Sequence, residues 1–172
     1  MTVGIRGLLK AIETGTREEI WEAAKQLESL AAEIVLSLIR LLENAECADT
    51  RAAAAHVLGL GRYASARTSL EQVLRNVEEE ASVRGHAAEA LAYIQNKESV
   101  DVLLNQLGDA DPGVKYWCIF ALGQIADAKA VPALKRLSES IADQFYEKHS
   151  LRNEALDALA EIDNRLNDAV SD

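Results

Sequence analysis

Proline is almost missing from this sequence: two residues in 172, alongside nine glycines, two cysteines and eight aromatics of the Phe, Trp and Tyr types. So few obligatory breaks leave helix open almost everywhere. Cys47 and Cys118 are too few and too far apart for a disulfide framework or a cysteine-rich metal site. A reducing, cytoplasmic setting is therefore expected. Positive charge is also scarce. Lys and Arg number 18 against 28 Asp and Glu, for a net charge of −10. Such a surface repels phosphate backbones and anionic lipid, so nucleic acid and membrane are not expected partners; a basic partner is favoured. No apolar run approaches the ~20 residues that span a bilayer. Met1–Lys10 has no basic stretch followed by a long apolar core, so no leader peptide is expected.

What fills the chain instead is Ala (29) and Leu (23), with 49% hydrophobic and 27% charged residues. That is the composition of an ordinary globular protein, and the length suits one domain over residues 1–172. One 11-residue pattern recurs: basic, then small and apolar residues, then Leu three residues before a final apolar position. Its copies start at Arg51, Arg84, Lys115 and Arg152, with a degraded copy at Ile20. Consecutive starts lie 31, 33, 31 and 37 residues apart. Between them run second apolar-periodic segments: Val3–Ile12, Ile34–Leu42, Leu70–Leu74, Val100–Leu107 and Val131–Leu137. Val100, Leu103, Leu104 and Leu107 show the spacing, which is helical. Each repeat is thus a helix pair, A then B, with boundaries near 1–31, 32–62, 63–96, 97–127 and 128–172.

The punctuation agrees. Thr16 to Glu19 reads as a capping box opening the first B helix. Asp49, Ser82 and Asp111 are candidate N-caps of the next three. Pro112 falls at a first helical position, and Pro132 in a first turn. Gly59 to Gly61 reads as a helix end. Ala54, Ala87, Ala88, Ala90, Ala121, Ala155 and Ala158 are small enough for neighbouring B helices to approach closely. A lone pair cannot bury its apolar faces, so the pairs are expected to stack on one continuous core.

The stretch Asp111-Pro-Gly-Val-Lys115, through Ala121-Leu-Gly-Gln-Ile125, to Ala130-Val-Pro-Ala-Leu134 resembles a HEAT repeat. It is most similar to the short bacterial HEAT-like repeats also seen in phycobilisome lyases. The resemblance covers residues 45–165 well and 1–44 weakly. It implies an all-α fold, a right-handed α-solenoid of about five helix pairs with the B helices lining the concave side. It also implies a structural ladder, in which the basic residue of each B helix pairs with an acid in a neighbouring turn. Arg51, Arg84, Lys115 and Arg152 occupy that position, with Asp49 and Asp111 as expected partners.

Catalytic signatures are missing. His56, His86 and His149 are not followed by Glu, so the paired His-Glu iron site of the HEAT-repeat hydroxylases is absent from the sequence. There is no HExxH, CxxC, GxxxxGK[ST], GxGxxG or GxSxG, and no metal or cofactor is expected. Cys118 falls on a core stripe and reads as a small buried hydrophobe. Glu78-Glu79-Glu80 reads as a solvated acidic face. HEAT-like DNA glycosylases need a basic groove, whereas Glu154, Asp157 and Glu161 stand at outward positions of the last B helix.

Counting from each basic residue, offsets +1, +2, +5 and +9 lie opposite the core stripe. In a solenoid that is the concave face. It carries Trp21 in the first repeat, His56 in the second, and His86, Glu89 and Tyr93 in the third. The fourth brings Tyr116, Trp117, Phe120 and Gln124, and the fifth Glu154 and Asp157. Five of the eight aromatics fall there, three of them in the fourth repeat. Clustered Trp and Tyr mark interaction sites when exposed; the alternative is that Tyr116 and Phe120 pack against neighbouring elements. The expected function is non-enzymatic: a protein-interaction module holding a basic or amphipathic protein segment on an acidic-aromatic face. One concrete form is an inhibitor or immunity-type protein that masks a basic surface. The family resemblance implies an alternative, a lyase or chaperone-like subunit acting on the bilin chromophore of phycobiliproteins.

Overall fold

Alanine, leucine and the near absence of helix breakers have the expected outcome: helices dominate. In the computed structural model, residues 5–14, 16–140 and 144–171 are described; Val3, placed in the first expected helix, lies outside them. The chain separates into two compact units, Met1–Ser37 and Leu38–Asp172.

The first unit holds α1 (Ile5–Thr14) and the start of α2 (Arg17–Asn44). Its capping box forms as expected. The Thr16 N–H donates to Glu19 Oε2 at 2.7 Å and the Glu19 N–H donates to Thr16 Oγ1 at 3.4 Å. Those bonds hold the Glu19 carboxyl below its ordinary range. No break occurs near residue 31. α2 runs on through the expected junction because Leu27 to Glu43 contains no Gly, Pro, Asn or Asp to stop it.

In the second unit, helix pairs stack. The long B helices are α3 (Ala48–Leu60), α5 (Ala81–Ile94), α7 (Pro112–Ile125) and α9 (Leu151–Ser171). The shorter A helices are α4 (Arg67–Arg75), α6 (Val100–Gln106) and α8 (Val131–Ser138). The B helices pack in a row, α3 on α5 on α7 on α9, while α4, α6 and α8 cover α5, α7 and α9. Leu58, Leu70, Leu91, Leu103, Ile119, Leu122, Leu134 and Ile162 are fully buried in the core. The small residues do what their size allows. A Cβ on Gly59 would stand 2.5 Å from the Ala90 Cα, and one on Gly123 3.0 Å from the Ala158 Cα. Backbones this close have room for hydrogen only.

The turns differ in detail from the sequence expectation. Asp111 caps α7, accepting from the Gly113 and Val114 N–H groups at 2.8 and 3.0 Å, with Pro112 in the first turn. Asp49 and Ser82 instead lie inside their helices, whose N-caps are Cys47 and Glu80. Each A helix is entered through a 3-10 turn, and Asn96 and Asp127 cap two of these. After α3, α5 and α7 the left-handed residue is Arg62, Gln95 or Ala126, and no glycine takes that conformation among the described residues. α3 does end at Gly59–Gly61, with Gly61 as its C-cap at a right-handed φ, while Gly59 itself serves helix packing. The 37-residue spacing before the last B helix reflects an insertion: a hairpin of β1 (Phe145–Tyr146) and β2 (His149–Ser150), turned at Glu147.

Candidate functional site

The N-terminal turns of the B helices carry the basic residue of each repeat. Side chains there lean toward the helix N-terminus, into the turn before it and toward the next repeat. Arg51 donates to both Glu79 oxygens at 2.8 and 2.7 Å and to the carbonyls of Ala45 and Glu46 at 2.6 and 2.9 Å. Arg84 donates to both Asp109 oxygens at 3.2 and 3.0 Å and to the Glu79 carbonyl. Lys115 donates to Gln144 at 2.6 Å, and Arg152 to the Ser140 carbonyl. The acidic partners are thus Glu79 and Asp109, not Asp49 and Asp111. Asp111 is committed to its own helix, and Asp109 accepts its N–H at 2.8 Å. Glu79 is also not part of a solvated acidic face. Burial raises its pKa, but the Arg51 hydrogen bonds, the Glu80 N–H and the charges of Arg51 and Arg84 outweigh that and hold it below its ordinary range. A second network was not legible in sequence: buried Glu71 accepts from Arg67 and from the Ser99 hydroxyl, both at 2.8 Å.

Across the face of the B row a chain of contacts links four helices. His56 Nδ1 on α3 lies 3.2 Å from Glu89 Oε2 on α5, and the Tyr93 hydroxyl donates to Glu89 Oε1 at 3.2 Å. Burial and the Glu89 charge raise the Tyr93 hydroxyl. His86 donates from Nδ1 to the Ser82 carbonyl at 2.7 Å and meets the His56 ring edge-on at 6.1 Å. On α7, Trp117 meets Tyr116 at 5.2 Å and Phe120 at 5.7 Å, both edge-on. Tyr116 also packs on Tyr146 and His149 of the hairpin, at 5.4 and 5.3 Å. Glu154 on α9 lies near its hydroxyl. Burial, with the charges of Glu154 and Asp157, pushes that hydroxyl up to about 12. Burial and the Asp157 charge in turn raise the Glu154 carboxyl.

Trp117, Phe120 and Tyr116 are half-buried, not fully exposed as their helical position suggested. Neighbouring helices and the hairpin cover their flanks. Gln124 accepts from Arg165 through its carbonyl at 2.7 Å and its side chain at 3.3 Å, which ties it to the C-terminal helix. Asp157 is exposed. Trp21 belongs to the first unit, where it is 69% exposed beside Arg17, Glu18, Glu22 and Lys25. Tyr146 and His149 were missed because the hairpin that presents them interrupts the repeat pattern. Cys118 is fully buried, which raises its thiol.

Where α3, α5 and α7 meet, Asp49, Ala53, His56, His86, Glu89 and Trp117 line an open recess of about 400 Å3. Its Trp117 wall lies close to Gly85: a Cβ there would stand 3.3 Å from Trp117 Cδ1. Among the described residues no group of three or more His, Cys, Asp or Glu is placed to hold a metal ion, and no helix is long and apolar enough to cross a membrane.

Residues 68–148 match the family model described as HEAT repeats. Deoxyhypusine hydroxylase-B of Oryza sativa subsp. japonica is 31% identical over 120 residues, which are 68% of this chain and 40% of that protein. The chain thus spans well under half the length of that relative. Computationally designed armadillo repeat proteins for modular peptide recognition superpose with a TM-score of 0.54 at 21% identity, over 91% of this chain and 81% of theirs. A second designed armadillo repeat protein gives 0.53 at 20% identity, over 92% and 82%.

Proposed function

We propose that this chain, a HEAT-repeat protein with an all-α solenoid fold, is a non-enzymatic interaction module whose B-row face binds a basic or amphipathic segment of another protein. The observation that carries the reading is the Tyr116–Trp117–Phe120 cluster, flanked by the carboxylates Glu89, Glu154 and Asp157. Half-buried aromatics held by their neighbours are pre-organised, so little ordering entropy is lost on binding. The surrounding carboxylates and the net charge of −10 favour a cationic partner and speed its approach. The solved structures that share the fold include repeat proteins built for peptide recognition. The hydroxylase relative does not shift this reading toward catalysis, because His56, His86 and His149 are followed by Val57, Ala87 and Ser150. An inhibitor or immunity-type protein working in the cytoplasm is one form that fits.

The test is calorimetric titration with a Lys/Leu amphipathic helical peptide and with its Glu/Leu counterpart. Binding of the basic peptide alone, weakened by Trp117→Ala, supports the reading. Equal binding of both peptides, or indifference to Trp117→Ala, overturns it. Titration with a bilin tests the lyase alternative; our reading expects no induced change in the visible spectrum.

A further inference from the structure

The recess between α3, α5 and α7 has a chemistry narrower than the face around it. Asp49 of α3 and Glu89 of α5 bring two carboxylates to its lining, and the rings of His56, His86 and Trp117 supply flat surfaces. The Glu89 side chain is only 9% exposed, and its position is fixed by His56 and by the Tyr93 hydroxyl. Asp49 is exposed and makes no ion pair among the described residues. The volume, about 400 Å3, lies at the small end of the ~300–1,000 Å3 usual for ligand pockets. It has room for one long side chain.

We infer that this recess is a subsite for an arginine side chain of the bound segment. The inference rests on the face proposed above and specifies one position of it. A guanidinium is planar and weakly hydrated. It can stack on the Trp117 indole while its N–H fork reaches a carboxylate, whereas an ammonium offers a point charge and no plane. Asp49 is the carboxylate free to take the paired hydrogen bonds, and Glu89 supplies charge from a less hydrated position. Gly85 matters because it lets the indole lie close to α5. A methyl there would need the ring to shift by a few tenths of an ångström.

The experiment is an NMR titration of the 15N-labelled full chain with N-acetyl-arginine amide at millimolar concentration, in parallel with the lysine and citrulline derivatives. Citrulline keeps the shape of arginine and removes the charge. The inference expects shifts at the Trp117 indole N–H and the Gly85 amide with arginine, weaker ones with lysine, and none with citrulline. Asp49→Asn, a surface change that leaves folding intact, should weaken the arginine derivative by about tenfold. Glu89→Gln, checked for retained fold by circular dichroism, should also weaken it. Equal shifts with citrulline, or an affinity unchanged in Asp49→Asn, overturn the subsite. If the basic peptide above still binds in a Trp117-dependent way while arginine leaves the recess undisturbed, the face survives and the subsite fails. If arginine fills the recess but the peptide ignores Trp117, the subsite stands and the wider face fails.

Discussion

Removing the Arg84 side chain should destabilise the fold far more than removing a lysine from an exposed ion pair. Arg84 and Asp109 side chains are 10% and 4% exposed, and the guanidinium also satisfies the Glu79 carbonyl. Arg84→Ala strands a buried carboxylate and a carbonyl. Breaking a buried pair by deleting one partner costs ~3–5 kcal/mol. Asp109 keeps one hydrogen bond, from the Asp111 N–H. The loss should therefore sit at the low end, about 3 kcal/mol, or roughly 6–12 °C in melting temperature for a domain of this size. The control is Lys129→Ala. Its pair with Asp101 is short, 2.5 Å, but the side chains are 58% and 66% exposed, so about 0–1 kcal/mol is expected. Urea unfolding of the wild type, both single variants, Asp109→Ala and the Arg84→Ala/Asp109→Ala double variant gives the coupling directly. The double variant should lose less than the two singles added, because no unpaired charge remains. Equal small losses at Arg84 and Lys129, or strict additivity in the cycle, would refute the view that these inter-repeat pairs hold the stack together.

Gly59→Ala should cost about 1–3 kcal/mol in urea unfolding, because its methyl meets the Ala90 backbone, whereas Gly108→Ala, with only the Asn105 carbonyl 3.8 Å away, should be close to neutral. Gln95→Gly should raise stability by about 1 kcal/mol by relieving the left-handed conformation at φ 55°; a loss would show that the side chain matters more than the backbone. Two glutamates should act oppositely in pH-dependent unfolding. Glu79 is held low in the fold, so its contribution is present above the ordinary glutamate range and fades as pH falls through the folded value; Glu79→Gln should flatten that acid-side decline. Glu154 is raised by burial and the Asp157 charge, so the fold binds the extra proton and stability falls as pH rises through the raised value; Glu154→Gln should abolish that fall. Trp117→Ala should cost about 2 kcal/mol or more in binding the basic peptide, mainly through faster dissociation, whereas Asp157→Asn should slow association and lose its effect in high salt.

The sequence by itself determined the helices of the second unit, their pairing and their order. A basic-small-Leu pattern with helical spacing, read four times, leaves one way to bury Leu58, Leu91, Leu122 and Ile162 together. The caps at Thr16 and Asp111 were equally legible, since they depend on residues three apart along one chain. The continuity of α2 through residue 31 was not, because the spacing of the repeats placed a junction there that the run of helix formers from Leu27 to Glu43 overrides. The tertiary structure alone decided which carboxylates face which cations. Arg51 finds Glu79 and Arg84 finds Asp109, each more than twenty residues away, through the stacking of adjacent turns. It also decided how exposed the aromatic face is. The helical position of Trp117 and Tyr116 points them away from the core, but Gly85 admits the indole against α5, and the hairpin brings Tyr146 and His149 onto Tyr116. A wheel places a side chain on a face of one helix. Only packing between helices sets what covers it, because burial is a property of neighbours that the local sequence does not contain.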